Sequence, residues 1–419
     1  MGHVHIIGAG LSGLSAAVEL AARGRSVTLY EASRQAGGRC RSYHDGKLDC
    51  EIDNGNHLLL SGNKSAARFL DMIGAGAELT GPERAVFPFM DIRSRARWDI
   101  EFNAGRLPLW VFDKHKRVPG AGLMDHLALS ALLKPKPHAR LSDYISRDNP
   151  LYENLIEPLS VAVINMAPDQ ASAKLMGNVL GETLLKGGRA CQPRVARDSL
   201  GKTFIDPALN YLKAQGAKIE FGTRLKSIGQ DNVGVKTLHF TSQNVSLADG
   251  DYVISALPPE PAGDIFDFIS VPSSYSAIVN LHYRLTDPIQ ADWPAPLMGL
   301  IGSLAQWVFI RGDIASVTIS AADAVLNMPS DVIAKTVWEE ISIPLHMEGQ
   351  AMPPVRVVKE KRATLAQNPE LEPLRPGIET PCHNLFMVGD WTDTGLPATI
   401  EGAIRSGANG AKHILREMG

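Results

Sequence analysis

The sequence predicts an α/β fold of two domains, one built on a parallel sheet flanked by helices and one of mixed α+β structure that interrupts it. A strand, a glycine-rich turn and a helix begin at Val4, and a second strand and helix begin at Asn384. With 419 residues, the chain is also too long for a single ordinary core. The outer parts are therefore predicted to share one domain, to which the chain returns once in between.

The first unit, residues 4–31, has the order strand, turn, helix and strand. The strand is predicted from the apolar residues Val4, Ile6 and Ile7, and the helix from apolar residues at helical spacing, Leu14, Ala17, Val18 and Ala21. Between them the pattern G-x-G-x-x-G is formed by Gly8, Gly10 and Gly13. The first glycine lets the chain turn, the second admits a pyrophosphate against the backbone, and the third lets helix and strand pack closely. The helix N-terminus is then predicted to face an anion.

The second strand of this unit ends beside Glu31, whose carboxylate can accept hydrogen bonds from a ribose 2′-hydroxyl. An acid at this place favours FAD or NAD over NADP. Gly37, Gly38 and Arg39 follow, and Arg39 would add a positive charge to a pyrophosphate that helix amides already hold. The strand, the helix and the acid agree on dinucleotide binding, which a glycine pattern alone would not establish.

Composition and charge indicate a globular protein and give no sign of nucleic-acid binding. The chain is 44% hydrophobic and 21% charged, as soluble globular proteins are. Its net charge of −3 gives no overall attraction to nucleic acid. Four cysteines lie without metal-ligand spacing, which favours reduced thiols and a cytoplasmic location, and no signal peptide or metal site is expected. The uncharged run 293–310 is predicted to form two buried strands joined by a turn.

Hydrophobic periodicity in the interior of the chain divides it into five segments. The first domain is assigned residues 1–75, 195–261 and 375–419, and the second domain residues 76–194 and 262–374. The main helices are predicted over residues 64–73, 120–133, 152–166, 199–215 and 330–343. The strands outside the first unit are predicted within residues 78–118 and over 217–221, 225–228, 233–240, 245–247, 252–257 and 278–285.

The C-terminal part carries the second half of the predicted site. Residues 384–389 read as a buried strand, and Asp390 follows at its carboxyl end, where ligands bind in open α/β sheets. The last helix is predicted to begin at Thr399, so that its amides point back toward whatever Asp390 faces. A carboxylate suits ribityl hydroxyls, and a helix N-terminus suits a flavin O2 that gains negative charge on reduction.

Together these residues resemble the flavin-binding opening of the amine oxidase and phytoene desaturase superfamily, and more narrowly the squalene-associated FAD-dependent desaturase family. The similarity covers nearly the whole chain. It is carried by the motifs D-N-G-N-H at 53–57 with Leu58 to Leu60, E-P-L-x-V-A-x-x-N at 157–165, Q-W-V-F at 306–309, K-R-A-T at 361–364, R-P-G at 375–377 and G-D-W-T-D-T-G-L-P-A-T-I-E-G-A at 389–403.

The resemblance implies a Rossmann-like FAD-binding domain and the reductive removal of an allylic hydroxyl from hydroxysqualene, a long-chain isoprenoid, to give squalene for hopanoid synthesis. The hydroxyl leaves as water only if an acid protonates it, and reduced flavin supplies the hydride. The candidate acids are His57 and Asp393, the latter with a pKa raised by burial. Trp307 and Phe309 are predicted to line a dry apolar tunnel for the substrate.

The residues predicted to hold FAD lie in the glycine turn, beside the second strand and at the C-terminal strand and helix. They are Gly8, Gly10, Leu11, Ser12, Gly13, Glu31, Ala32, Gly38, Arg39, Asn56, Leu225, Gly389, Asp390, Thr399 and Ile400. Of these, the backbone near Leu225 is expected to meet the adenine, by the same resemblance.

Other functions would use the same predicted fold. A carotenoid-type desaturase or an amine oxidase would use FAD for oxidation, and a non-enzymatic prenyl-chain-binding relative would bind a lipid chain without redox chemistry. Because no second glycine-rich nucleotide motif is visible, the electron donor stays open among NAD(P)H, a carrier protein and a quinone. A water-insoluble substrate also suggests peripheral contact with the inner face of the cytoplasmic membrane.

Overall fold

A computed structural model describes residues 2–419 of the chain. Its strands, in chain order, are β1 (Val4–Ile7), β2 (Val27–Glu31), β3 (Ser42–Asp45), β4 (Cys50–Asp53), β5 (Leu59–Leu60), β6 (Leu79–Thr80), β7 (Ala85–Asp91), β8 (Arg97–Phe102), β9 (Pro193–Ala196), β10 (Lys218–Phe221), β11 (Leu225–Gln230), β12 (Val235–Phe240), β13 (Asn244–Ser246), β14 (Tyr252–Ser255), β15 (Tyr275–Arg284), β16 (Leu297–Ile301), β17 (Trp307–Arg311), β18 (Ile314–Ile319), β19 (Val355–Leu365) and β20 (Leu385–Met387). The α-helices are α1 (Leu11–Ala21), α2 (Lys64–Met72), α3 (Leu123–Ala128), α4 (Glu157–Ile164), α5 (Ala173–Glu182), α6 (Asp206–Ala214), α7 (Pro259–Ile265), α8 (Ser330–Ile341) and α9 (Ile400–Glu417).

A parallel sheet in the order β10-β2-β1-β14-β20 carries the glycine-rich turn. Its strands come from three separate parts of the sequence. Parallel neighbours cannot be joined by a tight hairpin, so other segments of the chain lie between them as crossover connections. One face of the sheet, with Ile6 and Leu29, is covered by α1 and α9. The other face, with Ile7 and Leu385, packs against the sheet β11-β12-β13. The predicted α/β fold class is confirmed, while the five segment boundaries stay a prediction.

A larger sheet has the order β19-β15-β18-β17-β16-β7-β8 and is antiparallel except where β16 lies beside β7. One of its faces is largely apolar and packs against α8, for example through Val279, Val317 and Val337. The turn predicted within residues 293–310 is present, because β16 and β17 are antiparallel neighbours. The K-R-A-T motif lies in β19, a strand that was not predicted from the sequence because charged residues interrupt its alternation.

Two helices that were predicted to be α-helical from their first residue begin instead with a π-helical turn. Residues Tyr152–Ile156 form such a turn before α4, and residues Gly201–Ile205 form one before α6. Each turn precedes a proline in the first turn of the α-helix, Pro158 or Pro207. Proline lacks the amide hydrogen for a bond to the carbonyl four residues earlier, and the wider turn accommodates its ring.

The helix predicted over residues 120–133 is correct only in part. Gly120 has a φ of 76°, which a right-handed helix does not use. The helix α3 begins three residues later, where the Asp125 carboxylate accepts a hydrogen bond of 2.7 Å from the Gly122 amide. Residues 129–133 then continue as a 3₁₀-helix. Within residues 2–419, no helix combines the length and the apolar character that crossing a membrane requires.

Candidate functional site

The glycine-rich turn between β1 and α1 leaves the first amides of α1 accessible. No side chain caps α1 at Gly10, and a Cβ built on Gly10 would have no heavy atom within 4 Å. By contrast, Gly8 has a φ of 107°, and a Cβ on Gly13 would lie 1.9 Å from the Gly8 carbonyl oxygen. The open space therefore lies in front of the amides of Leu11 and Ser12, an arrangement that fits the predicted pyrophosphate.

Glu31 supports this turn from the end of β2. Its Oε2 accepts a hydrogen bond of 2.8 Å from the Ala9 amide, and its Oε1 accepts one of 2.8 Å from the Ser33 amide. A carboxylate oxygen can accept a second bond, so the predicted contact with a ribose is compatible with this geometry. The Thr223 amide donates to the Glu31 carbonyl oxygen at 2.8 Å, which places the chain leading to Leu225 beside the exposed Ala32.

Arg39 and Asp390, from distant parts of the sequence, form an ion pair. Arg39 Nη2 lies 2.6 Å from Asp390 Oδ1, and Arg39 Nη1 donates to the Ala363 carbonyl oxygen at 2.7 Å. The buried Asp390 carboxylate raises the pKa of Arg39. A Cβ on Gly38 would lie 3.6 Å from the Gly10 Cα, so the pair lies close to the glycine turn. A guanidinium carries five N–H donors, which leaves Arg39 able to bind an anion as well.

Arg375 shapes the loop between β20 and α9, a role that was not predicted from the sequence. It is only 5% exposed and donates to the carbonyl oxygens of Asp390, Leu396 and Trp391, at 2.6, 2.7 and 3.4 Å. Burial lowers the pKa of this guanidinium. Trp391 is fixed further by a 2.9 Å bond from its indole N–H to the Leu257 carbonyl oxygen. The R-P-G motif therefore holds the loop that leads to the last helix.

The N-terminal part of α9 lies next to α1. Thr399 caps α9 with a hydrogen bond of 3.1 Å from the Gly402 amide to its Oγ1, and Ile400 is the first helical residue. A Cβ on Gly407 would lie 2.0 Å from the Ser12 carbonyl oxygen, so only glycine permits this approach of the two helices. Gly389, just after β20, donates its amide to Ser406 Oγ at 2.9 Å. Residues predicted to hold FAD at both chain regions thus belong to one packed unit.

The face of the larger sheet that does not pack on α8 has two halves, and we call it the divided face. Its apolar half, on β7, β16 and β17, presents Phe89, Leu297, Trp307 and Phe309. Its polar half, on β15 and β18, presents Asn280, His282, Ser316 and Thr318. Alternate residues of a strand point to one face, so this division follows directly from the strand sequences.

Hydrogen bonds join the D-N-G-N-H loop to the polar half of the divided face. Asn56 Nδ2 donates to Thr318 Oγ1 at 3.1 Å, and Thr318 Oγ1 donates to Asn280 Oδ1 at 3.0 Å. Asn280 Nδ2 in turn donates to the Asn54 carbonyl oxygen at 3.4 Å. Asn280 and Thr318 were not predicted from the sequence, although polar residues at inward positions of otherwise apolar strands were a usable signal.

The apolar half of the divided face contains both predicted substrate-binding residues. Trp307 is 7% exposed and meets the ring of Phe89 edge to face at 5.4 Å, while Phe309 is partly buried on the same side of β17. The buried indole N–H of Trp307 has no hydrogen-bond partner within residues 2–419. Trp307 pairs directly with Thr318 across the strands, so the polar and apolar halves meet at this point.

The two candidate acids lie in different surroundings. His57 is partly buried, and burial lowers its pKa to about 4. Its ring is therefore neutral near pH 7, which argues against His57 as a group that already holds the extra proton before the substrate binds. Asp393 is exposed, and its Oδ1 accepts a hydrogen bond of 3.2 Å from the Gly395 amide. The expected burial of Asp393 is therefore wrong, because the loop turns this side chain outward. The catalytic roles of both residues stay predictions.

Two other histidines couple the stability of the fold to pH. His5 and His282 are buried, and burial lowers the pKa of each to about 4 from the ordinary 6.5. Between these values the unfolded chain binds more protons than the folded chain, so stability falls as the pH drops from about 6.5 toward 4. From pH 7.5 to 5 we expect a loss of about 2 kcal/mol per histidine, measured by urea unfolding.

The variant His282→Asn isolates the contribution of His282 to this pH dependence of stability. Its amide can still bond to Ser316, whose Oγ lies 2.8 Å from His282 Nδ1. We expect its unfolding free energy to vary less with pH than that of the unsubstituted chain. The same pH slope in both proteins would show that His282 takes up its proton in the folded state as readily as in the unfolded one.

Comparison with known proteins agrees with this architecture. The family model described as flavin containing amine oxidoreductase matches residues 11–415. A hydroxysqualene dehydroxylase from Rhodopseudomonas palustris is 44% identical over 413 residues, which cover 98% of each chain. One from Sinorhizobium fredii is 42% identical over 415 residues, 99% of each chain.

Among solved structures, an oxidoreductase from Methanosarcina mazei superimposes over 99% of both chains with a TM-score of 0.74. At 15% identity this likeness concerns the fold alone. The fold, the matching family model and the relatives together confirm the resemblance and FAD as the cofactor. The chain belongs to the flavin-containing amine oxidoreductase family, and within it to the group of the hydroxysqualene dehydroxylases.

Proposed function

We propose that this chain removes the allylic hydroxyl of hydroxysqualene to give squalene, with FAD as cofactor. The observation that carries the proposal is the divided face, where the polar half bonded to the D-N-G-N-H loop borders an apolar half. An isoprenoid alcohol has the same two parts, one hydroxyl and a long hydrocarbon chain. Full-length similarity to hydroxysqualene dehydroxylases supports the same substrate.

The residues that would hold FAD surround the N-termini of α1 and α9. The amides of Leu11 and Ser12 face the open space at Gly10 and would bind the pyrophosphate, with Arg39 adding a positive charge. Glu31 would accept a bond from a ribose hydroxyl while it supports the turn. Asp390, Thr399 and Ile400, on the other side, would face the ribityl chain and the flavin ring.

The reaction replaces a C–O bond by a C–H bond and releases water. A proton must reach the hydroxyl oxygen, and the carbon that loses water must receive a hydride. When bound, reduced FAD supplies that hydride. The side chains of Phe89, Trp307 and Phe309 would exclude bulk water from the developing allylic cation, which would otherwise return to the alcohol.

Asp393 is the proton donor that we favour. Its side chain is exposed, so a substrate can reach it. An isoprenoid chain lying over it would remove water and disfavour the charged carboxylate. His57 is the alternative, and its neutral ring would have to gain its proton after the substrate enters.

The decisive experiment is anaerobic. The flavin of the purified holoprotein is reduced with dithionite, excess reductant is removed, and hydroxysqualene dispersed in detergent is added. We expect the oxidised flavin spectrum to return in proportion to the squalene formed, and squalene added instead of hydroxysqualene to leave the flavin reduced. If hydroxysqualene also leaves it reduced, and an unsubstituted isoprenoid bleaches the oxidised protein, a desaturase is the correct assignment.

The proposal includes two partners of the protein, a membrane surface and an electron donor. A water-insoluble substrate and product favour peripheral contact with a membrane, on the inner face of the cytoplasmic membrane. The electron donor is a second open partner. Its class can be assigned by offering NADH, NADPH or a quinol to the oxidised holoprotein and following the flavin spectrum.

A further inference from the structure

One part of the surface is both apolar and strongly basic. Of the eleven large hydrophobic residues exposed within residues 2–419, five lie between positions 107 and 127, where they are 47–75% exposed: Leu107, Leu109, Phe112, Met124 and Leu127. We call residues 104–140 the outer segment. Apolar side chains clustered in this way are unusual on a soluble surface and indicate an interaction site.

Charge sets the outer segment apart from the rest of the chain. It contains seven lysine and arginine residues but only two aspartates, a formal charge of +5 in a chain whose net charge is −3. Two of these cations form ion pairs outside the segment, Lys116 with Glu101 and Arg140 with Glu370, and the other five form none within residues 2–419. Both aspartates are engaged locally, because Asp113 accepts a bond from the His115 amide and Asp125 accepts bonds from Gly122 and Asn149. Arg106, Lys114, Lys134 and Lys136 are exposed, so their charges face outward.

The outer segment also covers the apolar half of the divided face. In the short helical turn Leu109–Phe112, the middle residues Trp110 and Val111 are buried in the same cluster as Trp307, while the first and last residues are exposed. A turn that is apolar on all sides is typical of a segment with hydrophobic surroundings on both faces. The outer segment therefore lies between the outer surface and the apolar half at that place.

We propose that the outer segment docks the protein on a membrane that contains anionic lipids. Leu109, Phe112 and Met124 enter the boundary between headgroups and acyl chains, and the surrounding lysine and arginine residues meet lipid phosphates. The combination of apolar anchors with a net positive charge fits this surface better than a second copy of the chain, whose same segment would carry the same +5 charge.

Docking of this kind would also serve the reaction, and this part rests on the proposed function. Hydroxysqualene dissolves in the acyl region of a bilayer, and the outer segment would place the apolar half of the divided face next to that region. The substrate would pass from the lipid to Trp307 and Phe309 without crossing water. Membrane binding itself does not depend on this reaction.

Vesicle flotation tests the docking without any substrate. The holoprotein is mixed with vesicles of phosphatidylcholine, or of phosphatidylcholine with about one part in three of phosphatidylglycerol, and centrifuged through a density gradient. We expect flotation with the anionic vesicles and at least about tenfold less with phosphatidylcholine alone, because several cations each contribute about fivefold at an anionic surface. Molar salt should reverse most of the binding.

Two double variants separate the outer segment from general surface hydrophobicity. Leu109→Ser with Phe112→Ser removes two anchors, and we expect at least about tenfold weaker vesicle binding, since each apolar side chain adds transfer free energy. The matched control, Val233→Ser with Val332→Ser, changes two exposed apolar residues elsewhere and should bind as the unsubstituted protein does. Equal binding by both variants, or no flotation of the unsubstituted protein, would overturn the proposal.

Sedimentation and turnover measurements distinguish membrane docking from a dimer interface, and the docking from the proposed reaction. If the outer-segment variant keeps vesicle binding but loses a dimer in sedimentation experiments, the segment is an interface between copies and the membrane proposal is wrong. Turnover of detergent-dispersed hydroxysqualene should be unchanged in this variant, while turnover of substrate in anionic vesicles should fall about tenfold. If the unsubstituted protein floats but reduces no hydroxysqualene in either form, the proposed function fails and the docking stands.

Discussion

Gly10→Val is expected to abolish FAD binding and leave the protein folded. The backbone of Gly10, with φ −74° and ψ 176°, suits a β-branched residue, and no heavy atom lies within 4 Å of its Cβ position. The new side chain would instead occupy the space where a pyrophosphate approaches the amides of α1. We expect at least about a hundredfold weaker FAD binding, measured by flavin absorbance and by titration of the apoprotein.

The control for this variant is Gly46→Val, in an exposed turn with equally open space around the Cβ position. It should keep a full complement of flavin. The apoproteins of both variants should melt within a few degrees of the unsubstituted apoprotein, because neither side chain meets the rest of the fold. If Gly10→Val retained its flavin, the pyrophosphate would have to lie elsewhere than on the glycine turn.

Asp393→Asn is expected to lower the rate of dehydroxylation by a factor of about 10² to 10⁴, the range that a lost general acid costs. Flavin content should not change, because an asparagine oxygen can still accept the hydrogen bond from the Gly395 amide that Asp393 makes. The measurement is the single-turnover rate of reoxidation of the reduced holoprotein by hydroxysqualene.

The parallel variant His57→Gln tests the alternative donor. With its pKa lowered to about 4, His57 carries little charge near pH 7, and we expect less than a tenfold change in the same rate. The opposite pattern, a slow His57→Gln and a normal Asp393→Asn, would assign the proton to the histidine. A loss of flavin from either variant would place that residue in cofactor binding rather than in proton transfer.

The parts of this structure that the sequence predicted well are those set by local rules. The glycine turn, α1 and β2 were recognised because periodicity, glycine spacing and an acid at the strand end all occur within 28 residues. The start of α9 was likewise predicted at Thr399 from the apolar repeat that follows, and Thr399 is its N-cap. In each case the deciding interactions lie within one or two neighbouring elements.

The parts that were missed depend on pairings between distant residues. Asn280 and Thr318 are recognisable as a pair only once the register of β15 and β18 is known, and no short motif encodes that register. The Arg39 and Asp390 contact joins positions 351 residues apart, so each was assigned a ligand without its partner. The outward direction of Asp393 depends on the loop that Arg375 holds, which is again a tertiary contact.

The close crossing of α1 and α9 at Gly407 has a consequence for biosynthesis. About 390 residues separate the starts of these two helices, so at a synthesis rate of 5 to 20 residues per second the ribosome needs roughly 20 to 80 seconds to make the second after the first. During that interval β14, once it is made, lacks its neighbour β20, and the hydrophobic face of α1 lacks α9. The proposed FAD site is therefore complete only after α9 has been made, and until then a nascent chain must keep its first βαβ unit from aggregating without the help of its cofactor.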